Sequence, residues 1–140
     1  MDHVGLVVED LDAAIEFFTA LGMESVSRWN ASGEWVGRVI GLSSVDADVA
    51  MLRTPDGRSQ VELSRFTSPS SPPGAGDQPS NALGIRHLSF AVDDFEGTLA
   101  RLQSLGAELV GTVEDYEDIY RLCYVRGPAG IIVEVAQPLR

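Results

Sequence analysis

The alternation of apolar and polar positions is clearest in two stretches that lie eighty-four residues apart. In "DHVGLVVED" (2–10), Val4, Leu6 and Val8 fall on one face of an extended chain and His3, Gly5 and Val7 on the other. In "RHLSFAVDD" (86–94), Leu88, Phe90 and Val92 share one face and His87, Ser89 and Ala91 share the other. Both read as half-buried strands, and each carries a histidine on its small-residue face. The chain has two histidines, so both occur in this setting.

The two stretches open a longer repeat. Residues 2–26 and 86–110 align without a gap, pairing His3 with His87, Val8 with Val92, Asp10 with Asp94, Gly22 with Gly106 and Glu24 with Glu108. After each strand the apolar period changes from two to about 3.6. Leu11, Ala14, Ile15, Phe18 and Leu21 form one helical stripe, and Phe95, Leu99, Leu102 and Leu105 form the other. Asp10 and Asp94 stand as N-caps, and the Leu-Gly pairs at 21–22 and 105–106 end each helix with a glycine. Three strands are expected after each helix, near 23–29, 46–54 and 59–66 in the first copy and near 107–113, 119–126 and 131–136 in the second. "SGEWVGRVIGL" (32–42) fits either a short helix or an irregular excursion. "TPDG" (54–57) and "GPAG" (127–130) are turns before the last strands.

Those last strands hold a second polar position. In "QVELSRF" Glu62 lies on the face opposite Val61 and Leu63, and in "IIVEVAQ" Glu134 lies opposite Ile131, Val133 and Val135. The large apolar face must be the one that helices cover, so His3, Glu62, His87 and Glu134 are all expected on the other, concave side. Taken singly, a strand histidine is most often a hydrogen-bonded structural residue and a strand glutamate a solvated one. Four such residues at repeat-equivalent positions are not independent accidents. A carboxylate on a concave face is costly unless it is paired or bound to a metal. Two neutral imidazoles and two carboxylates around a divalent ion also sum to zero formal charge.

Bulk properties narrow the alternatives. The chain of 140 residues fits one domain or two small fused modules, and at that length roughly 70% of the unfolded surface can be buried. The formal net charge of −11 argues against nucleic acid and against anionic membrane surfaces as partners. A single cysteine, Cys123, excludes a disulfide framework within the chain and fits a reducing cytoplasm. It sits in an apolar strand and reads as core packing. The start of the sequence has no basic, apolar leader pattern, and no run approaches 18 apolar residues, so neither export nor membrane spanning is expected.

Paired βαβββ modules, with a His opening each and a Glu closing each, resemble the vicinal oxygen chelate superfamily, the glyoxalase/bleomycin-resistance/extradiol-dioxygenase group. The resemblance covers nearly all of residues 1–140 as a single domain, with module 1 at 1–66, a Pro/Ser/Gly-rich linker at 67–83 and module 2 at 84–137. It implies an α+β fold in which tandem βαβββ modules form a curved, partly open eight-stranded barrel around a metal site. The order His3, Glu62, His87, Glu134 is similar to the ligand set of bacterial glyoxalase I. The implied cofactor is one divalent ion (Zn, Ni, Co or Mn).

The implied chemistry is abstraction of a proton α to a metal-chelated carbonyl. Glu134 is the first choice for the base and Glu62 the second. Methylmalonyl-CoA epimerases are the next resemblance, although they commonly carry Gln at the position of Glu62. Extradiol dioxygenases resemble a two-His-one-carboxylate iron site, and antibiotic-sequestering members usually lack the metal set. Four full ligands favour proton transfer over both.

Two departures from glyoxalase I concern the substrate. An Arg four residues after the first His is replaced by Val7, and an Asn four residues after the first Glu by Phe66. Both changes remove polar contacts to a tripeptide thiol, so the expected small-molecule substrate is not a standard glutathione adduct. Val7, Phe66, Trp35, Arg38, Arg53, Tyr120 and Arg121 are the candidate pocket residues, with Tyr116 as a further wall and Arg126 as a further cation. The length of linker 67–83 admits a lid over the site. Open sheet edges lead to the expectation of a homodimer.

Overall fold

The computed structural model describes residues 1–74 and 76–140. The chain divides into two compact units, Met1–Pro73 and Gly74–Arg140. Residue 75 of the expected linker lies outside the described residues.

In the first unit, β1 (Val4–Val7) leads into α1 (Leu11–Ala20), β2 (Glu24–Ser32), α2 (Glu34–Ile40), β3 (Asp46–Arg53) and β4 (Gln60–Ser68). The sheet order is β1-β4-β3-β2, with β1 parallel to β4 and the remaining pairs antiparallel. Asp10 accepts the Ala13 N–H at 3.0 Å, which satisfies one of the free donors at the start of α1. Gly22 ends that helix at φ 101°, a backbone conformation only glycine adopts without strain. Leu11, Ala14, Phe17, Phe18 and Leu21 are buried, and so are Ala50, Leu52, Val61 and Leu63 of the sheet. Phe17, on the flank of the stripe opposite Ile15, is buried, and Ile15 is half-buried.

The ambiguous 32–42 segment is the helix α2, following a β2 strand longer than expected. That extra length comes from ladder pairing, since β2 runs alongside β3 from Glu24↔Arg53 to Ser32↔Asp46.

The second unit repeats the plan with β5 (His87–Ala91), α3 (Phe95–Ser104), β6 (Glu108–Leu109), β7 (Glu114–Tyr116), β8 (Tyr120–Arg126), a 3-10 turn (Pro128–Gly130) and β9 (Ile132–Pro138). Its sheet order is β5-β9-β8-β6, with β7 also on β8 and β5 parallel to β9. Asp94 accepts from the Gly97 N–H at 3.0 Å. Phe95, Leu99 and Leu102 of α3 are buried, as are Val125, Val133 and Val135 of the sheet.

The described strands form two separate mixed sheets with three α-helices, an α+β arrangement, and no closed barrel is found among them. Eight strands were expected and nine are described. The strand placed at 107–113 is broken: β6 pairs with Val125 and Arg126, the Val110 N–H makes one more bond to the Tyr124 carbonyl, and the chain then leaves the ladder at Gly111. It returns as β7 on the other half of β8.

The linker is tied to the second unit. Arg126 donates to the Gly76 and Gln78 carbonyls at 2.9 and 3.0 Å, and Arg86 donates to Gln78 and Pro79. Among the described residues no helix is long and apolar enough to cross a membrane.

Candidate metal and substrate site

His3 immediately precedes β1, and Glu62 lies on β4 opposite Gly5. Strand alternation turns both away from the helix-covered face, where Val61 and Leu63 are buried. His3 Nε2 stands 3.6 Å from Glu62 Oε2. Its other nitrogen, Nδ1, is 2.6 Å from Asp2 Oδ2. A proton on Nδ1 shared with Asp2 leaves the Nε2 lone pair directed at Glu62. The His3 pKa is raised, first by the hydrogen bond to Asp2 and then by the charge of Glu62, with burial acting the other way.

The second unit builds the equivalent pair. His87 opens β5, Glu134 lies on β9 opposite Ser89, and His87 Nε2 is 3.9 Å from Glu134 Oε2. Two neighbours make this pair different from the first. Ser89 Oγ donates to Glu134 Oε1 at 2.9 Å. The Tyr124 hydroxyl is 3.3 Å from Nδ1 and 3.4 Å from Nε2 of His87, with the ring centroids 4.8 Å apart. Near-equal distances to both nitrogens mean that the hydroxyl is not committed to either one. Burial, and after it the Glu134 charge, pushes the Tyr124 pKa up.

The other candidate residues separate by strand face. Val7 lies beside Ser64 on the face of Glu62, and Arg53 and Phe66 are on the same face, opposite Gln60 and Ala47. Trp29 of β2 belongs there too, opposite Val49. Trp35 and Arg38 are on α2; Trp35 is exposed, and Arg38 lies 3.8 Å from Glu34 beside a concavity of about 620 Å³ within the first unit. Tyr120 shares a cleft of about 300 Å³ with Glu134 in the second unit, and Tyr116 lines it as well.

Arg121 does not join that cleft. It alternates with Tyr120 and Leu122 along β8, so it turns to the helix side, where Asp115 at 2.8 Å and Glu96 of α3 at 3.2 Å hold it. Arg126, the further cation, donates to carbonyls of Gly76, Gln78 and Gly130.

Sequence reasoning missed Ser89 and Tyr124 as neighbours of the ligand pair. Ser89 was legible, because it shares the alternation face of His87. Tyr124 was not, because its approach depends on the β8–β9 register that sets it opposite Glu134.

The donors suit a divalent ion. Imidazole nitrogen and carboxylate oxygen bind such ions at about 2.0–2.2 Å, so two bonds to one ion span up to about 4.2 Å. Separations of 3.6 and 3.9 Å fall inside that reach and outside hydrogen-bonding distance. Among the described residues no group of three or more His, Cys, Asp and Glu side chains is arranged to hold an ion. What each unit presents is one His–Glu pair.

Comparison with known proteins gives the family. No curated protein matches the chain. Among solved structures, a glyoxalase family protein from Bacillus cereus is 48% identical, with a TM-score of 0.95 over 100% of this chain and 94% of that one. A glyoxylase/bleomycin resistance protein/dioxygenase domain from Frankia is 19% identical, with a TM-score of 0.67 over 99% of this chain and 96% of that one. A glyoxalase I mutant from Zea mays is 18% identical, with a TM-score of 0.67 over 97% of this chain and 45% of that one. The last two likenesses concern the fold alone. The family profile described as Glyoxalase/Bleomycin resistance protein/Dioxygenase superfamily matches residues 2–124. With most of the sequence inside that profile and a solved relative at 48% identity, the chain belongs to the glyoxalase/bleomycin resistance protein/dioxygenase superfamily.

Proposed function

We propose that this chain is a metal-dependent enzyme of glyoxalase I-like type, a lyase or isomerase that takes a proton from the carbon next to a carbonyl. The observation that carries this reading is the recurrence of one His–Glu pair in each unit, at 3.6 and 3.9 Å, on the sheet face away from the helices. Members of the superfamily commonly use a divalent metal. His3, Glu62, His87 and Glu134 are the residues that would hold it. When bound, such an ion supplies Lewis-acid polarisation of a carbonyl oxygen.

The protein's own groups do the rest. A carboxylate placed near the α-carbon accepts the proton as the C–H bond breaks, and the electron pair moves toward the carbonyl to give an enolate. Returning the proton to the neighbouring carbon gives the isomer. Glu134 is assigned as this base, with Glu62 as its alternate. Ser89 holds one oxygen of Glu134 and leaves the other on the side of His87. Val7 and Phe66 give the face of Glu62 an apolar character, which supports a substrate other than a standard glutathione adduct.

The test has two parts. Purified protein should carry close to one divalent ion per chain by elemental analysis, and His87→Ala should lose it. Full metal retention in that variant would reject the ligand assignment. Metal-loaded protein in D₂O should place deuterium on the α-carbon of an α-hydroxyketone. Absence of exchange across a panel of thiol–methylglyoxal adducts, acyl-CoA thioesters and simple hydroxyketones would reject the chemistry.

A further inference from the structure

On the face of Glu134, the second sheet presents three successive rows of side chains. The first row is Ser89, Glu134 and Tyr124, opposite one another on β5, β9 and β8. Two residues along, the second row is Ala91, Ala136 and Leu122. Two further along, Tyr120 faces Tyr116 across the β7–β8 hairpin. At about 3.3 Å per residue, the tyrosines stand roughly 13 Å of strand away from the Glu134 row. Because two of the three side chains between them are alanines, a cleft of about 300 Å³ opens there. The carboxylate and Ser89 form one end and the two phenol rings the other.

The equivalent row of the first unit is Val7, Ser64 and Val49, continued by Trp29. Val7 stands there in place of Ala91, and the Trp29 indole continues the row, so the hollow belongs to the second module's own sequence.

Polarity narrows what fits. Among the described residues lining the cleft, Glu134 is the charged one. All ten basic residues of the chain are arginines, and the nearest in sequence, Arg121, is turned away and held by Asp115 and Glu96. An anionic group in the cleft would meet the Glu134 carboxylate, and none of the described residues that line it is a cation. A flat apolar group would lie on a floor of methyl groups against the two phenol rings at one end, where ring edges and faces pack favourably.

We propose that this cleft is the substrate-selecting subsite. It seats a compact, uncharged aromatic or branched apolar substituent attached to the carbonyl whose α-proton Glu134 removes. The substrate class is a neutral aryl or branched-alkyl α-hydroxycarbonyl compound, not a charged conjugate. The chemical half of this statement rests on the proton-transfer reading above; the binding half does not.

The experiment uses the full chain and separates the two. Benzyl alcohol, which has no exchangeable α-carbonyl proton, is the binding probe, followed by ligand-observed saturation-transfer NMR. 2-Hydroxyacetophenone and hydroxyacetone, which share a reacting group and differ in the substituent, are compared for deuterium uptake in D₂O with metal-loaded protein. Wild type should bind benzyl alcohol and should favour the aryl ketone in kcat/KM by roughly tenfold or more. Ala91→Leu, which fills the floor, and Tyr120→Ala, which removes the end wall, should each weaken the benzyl alcohol signal and collapse that preference. Using two exposed positions guards against a single misfolded variant.

Benzyl alcohol binding that both variants leave unchanged overturns the subsite, and so does hydroxyacetone exchange that equals or exceeds that of the aryl ketone. Binding that both variants abolish, with no exchange of either ketone, upholds the subsite and overturns the proton-transfer reading instead.

Discussion

Ser89 donates its hydroxyl hydrogen to Glu134 Oε1 across 2.9 Å, while the repeat-equivalent neighbour of Glu62 is Gly5, which has no side chain to offer. The two copies of the module therefore present the same His–Glu pair with unequal support. One carboxylate is held by a hydroxyl donor on the facing strand and the other has no such donor from Gly5. A base must be within reach of its carbon before its basicity matters, so the held carboxylate is the better placed one.

The first prediction follows from that hydrogen bond. Ser89→Ala should slow α-proton exchange by about 3- to 10-fold, the range of an ordinary hydrogen bond and less than that of a fully buried bond to a charged group, because Glu134 is partly exposed and water can replace the hydroxyl. Metal content and melting temperature should stay close to wild type. An unchanged exchange rate would show that Ser89 does not orient the base.

The two glutamates should separate in the same assay. Glu134→Gln keeps an oxygen ligand and removes the base, so exchange should fall by about 10²–10⁴-fold while much of the metal is kept. Glu62→Gln should be milder, since it also keeps an oxygen ligand and Glu62 is the alternate rather than the assigned base. If Glu62→Gln is the inactive variant, the chemistry stands with the roles reversed. If both variants exchange like wild type, neither glutamate is the base.

Much of this arrangement could be read in the sequence because the fold is a repeat. Sliding the chain by eighty-four positions brings His3 onto His87 and Asp10 onto Asp94, and strand alternation then assigns each His and Glu to the face away from the helices. What escaped depends on register and breaks in it. The division of the 107–113 strand into β6 and β7 follows from which half of β8 each piece meets, which no local pattern encodes. Tyr124 approaches His87 only because β8 is set against β9 with Tyr124 opposite Glu134. Placing both Tyr120 and Arg121 in one pocket conflicts with period-two alternation, and the structure resolves the conflict by pairing Arg121 with Glu96.

A homodimer is the third prediction. β2 ends the order of the first sheet, and along this edge strand Val26 and Trp29 are 48% and 41% exposed. A long edge with apolar side chains invites pairing with another copy unless something covers it. Light scattering at micromolar concentration should give about 30 kDa, twice the 15.0 kDa of one chain. Val26→Lys should shift the population toward monomer. A wild-type mass of one chain would count against the proposal.

The last prediction concerns Cys123. Its thiol is 3% exposed on the helix side of β8, and burial, followed by the charges of Glu134 and Glu96, pushes its pKa from 9.0 up to about 11. A shift of about two units cuts the thiolate fraction at pH 8 by about a hundredfold. Reaction with a thiol-specific disulfide reagent should therefore be slow in the folded protein and fast once denaturant exposes the strand. The same shift predicts a sign for stability. As pH rises past 9.0 the unfolded chain loses this proton while the folded chain still holds it, so the unfolded state is favoured progressively until about 11. The contribution is fully present below pH 9 and amounts to at most about 3 kcal/mol. Cys123→Ala removes it, so the wild type's advantage in denaturant midpoint over the variant should shrink as pH is raised from 8 to 11. A difference that stays flat across that range would mean that the thiol titrates near its ordinary value.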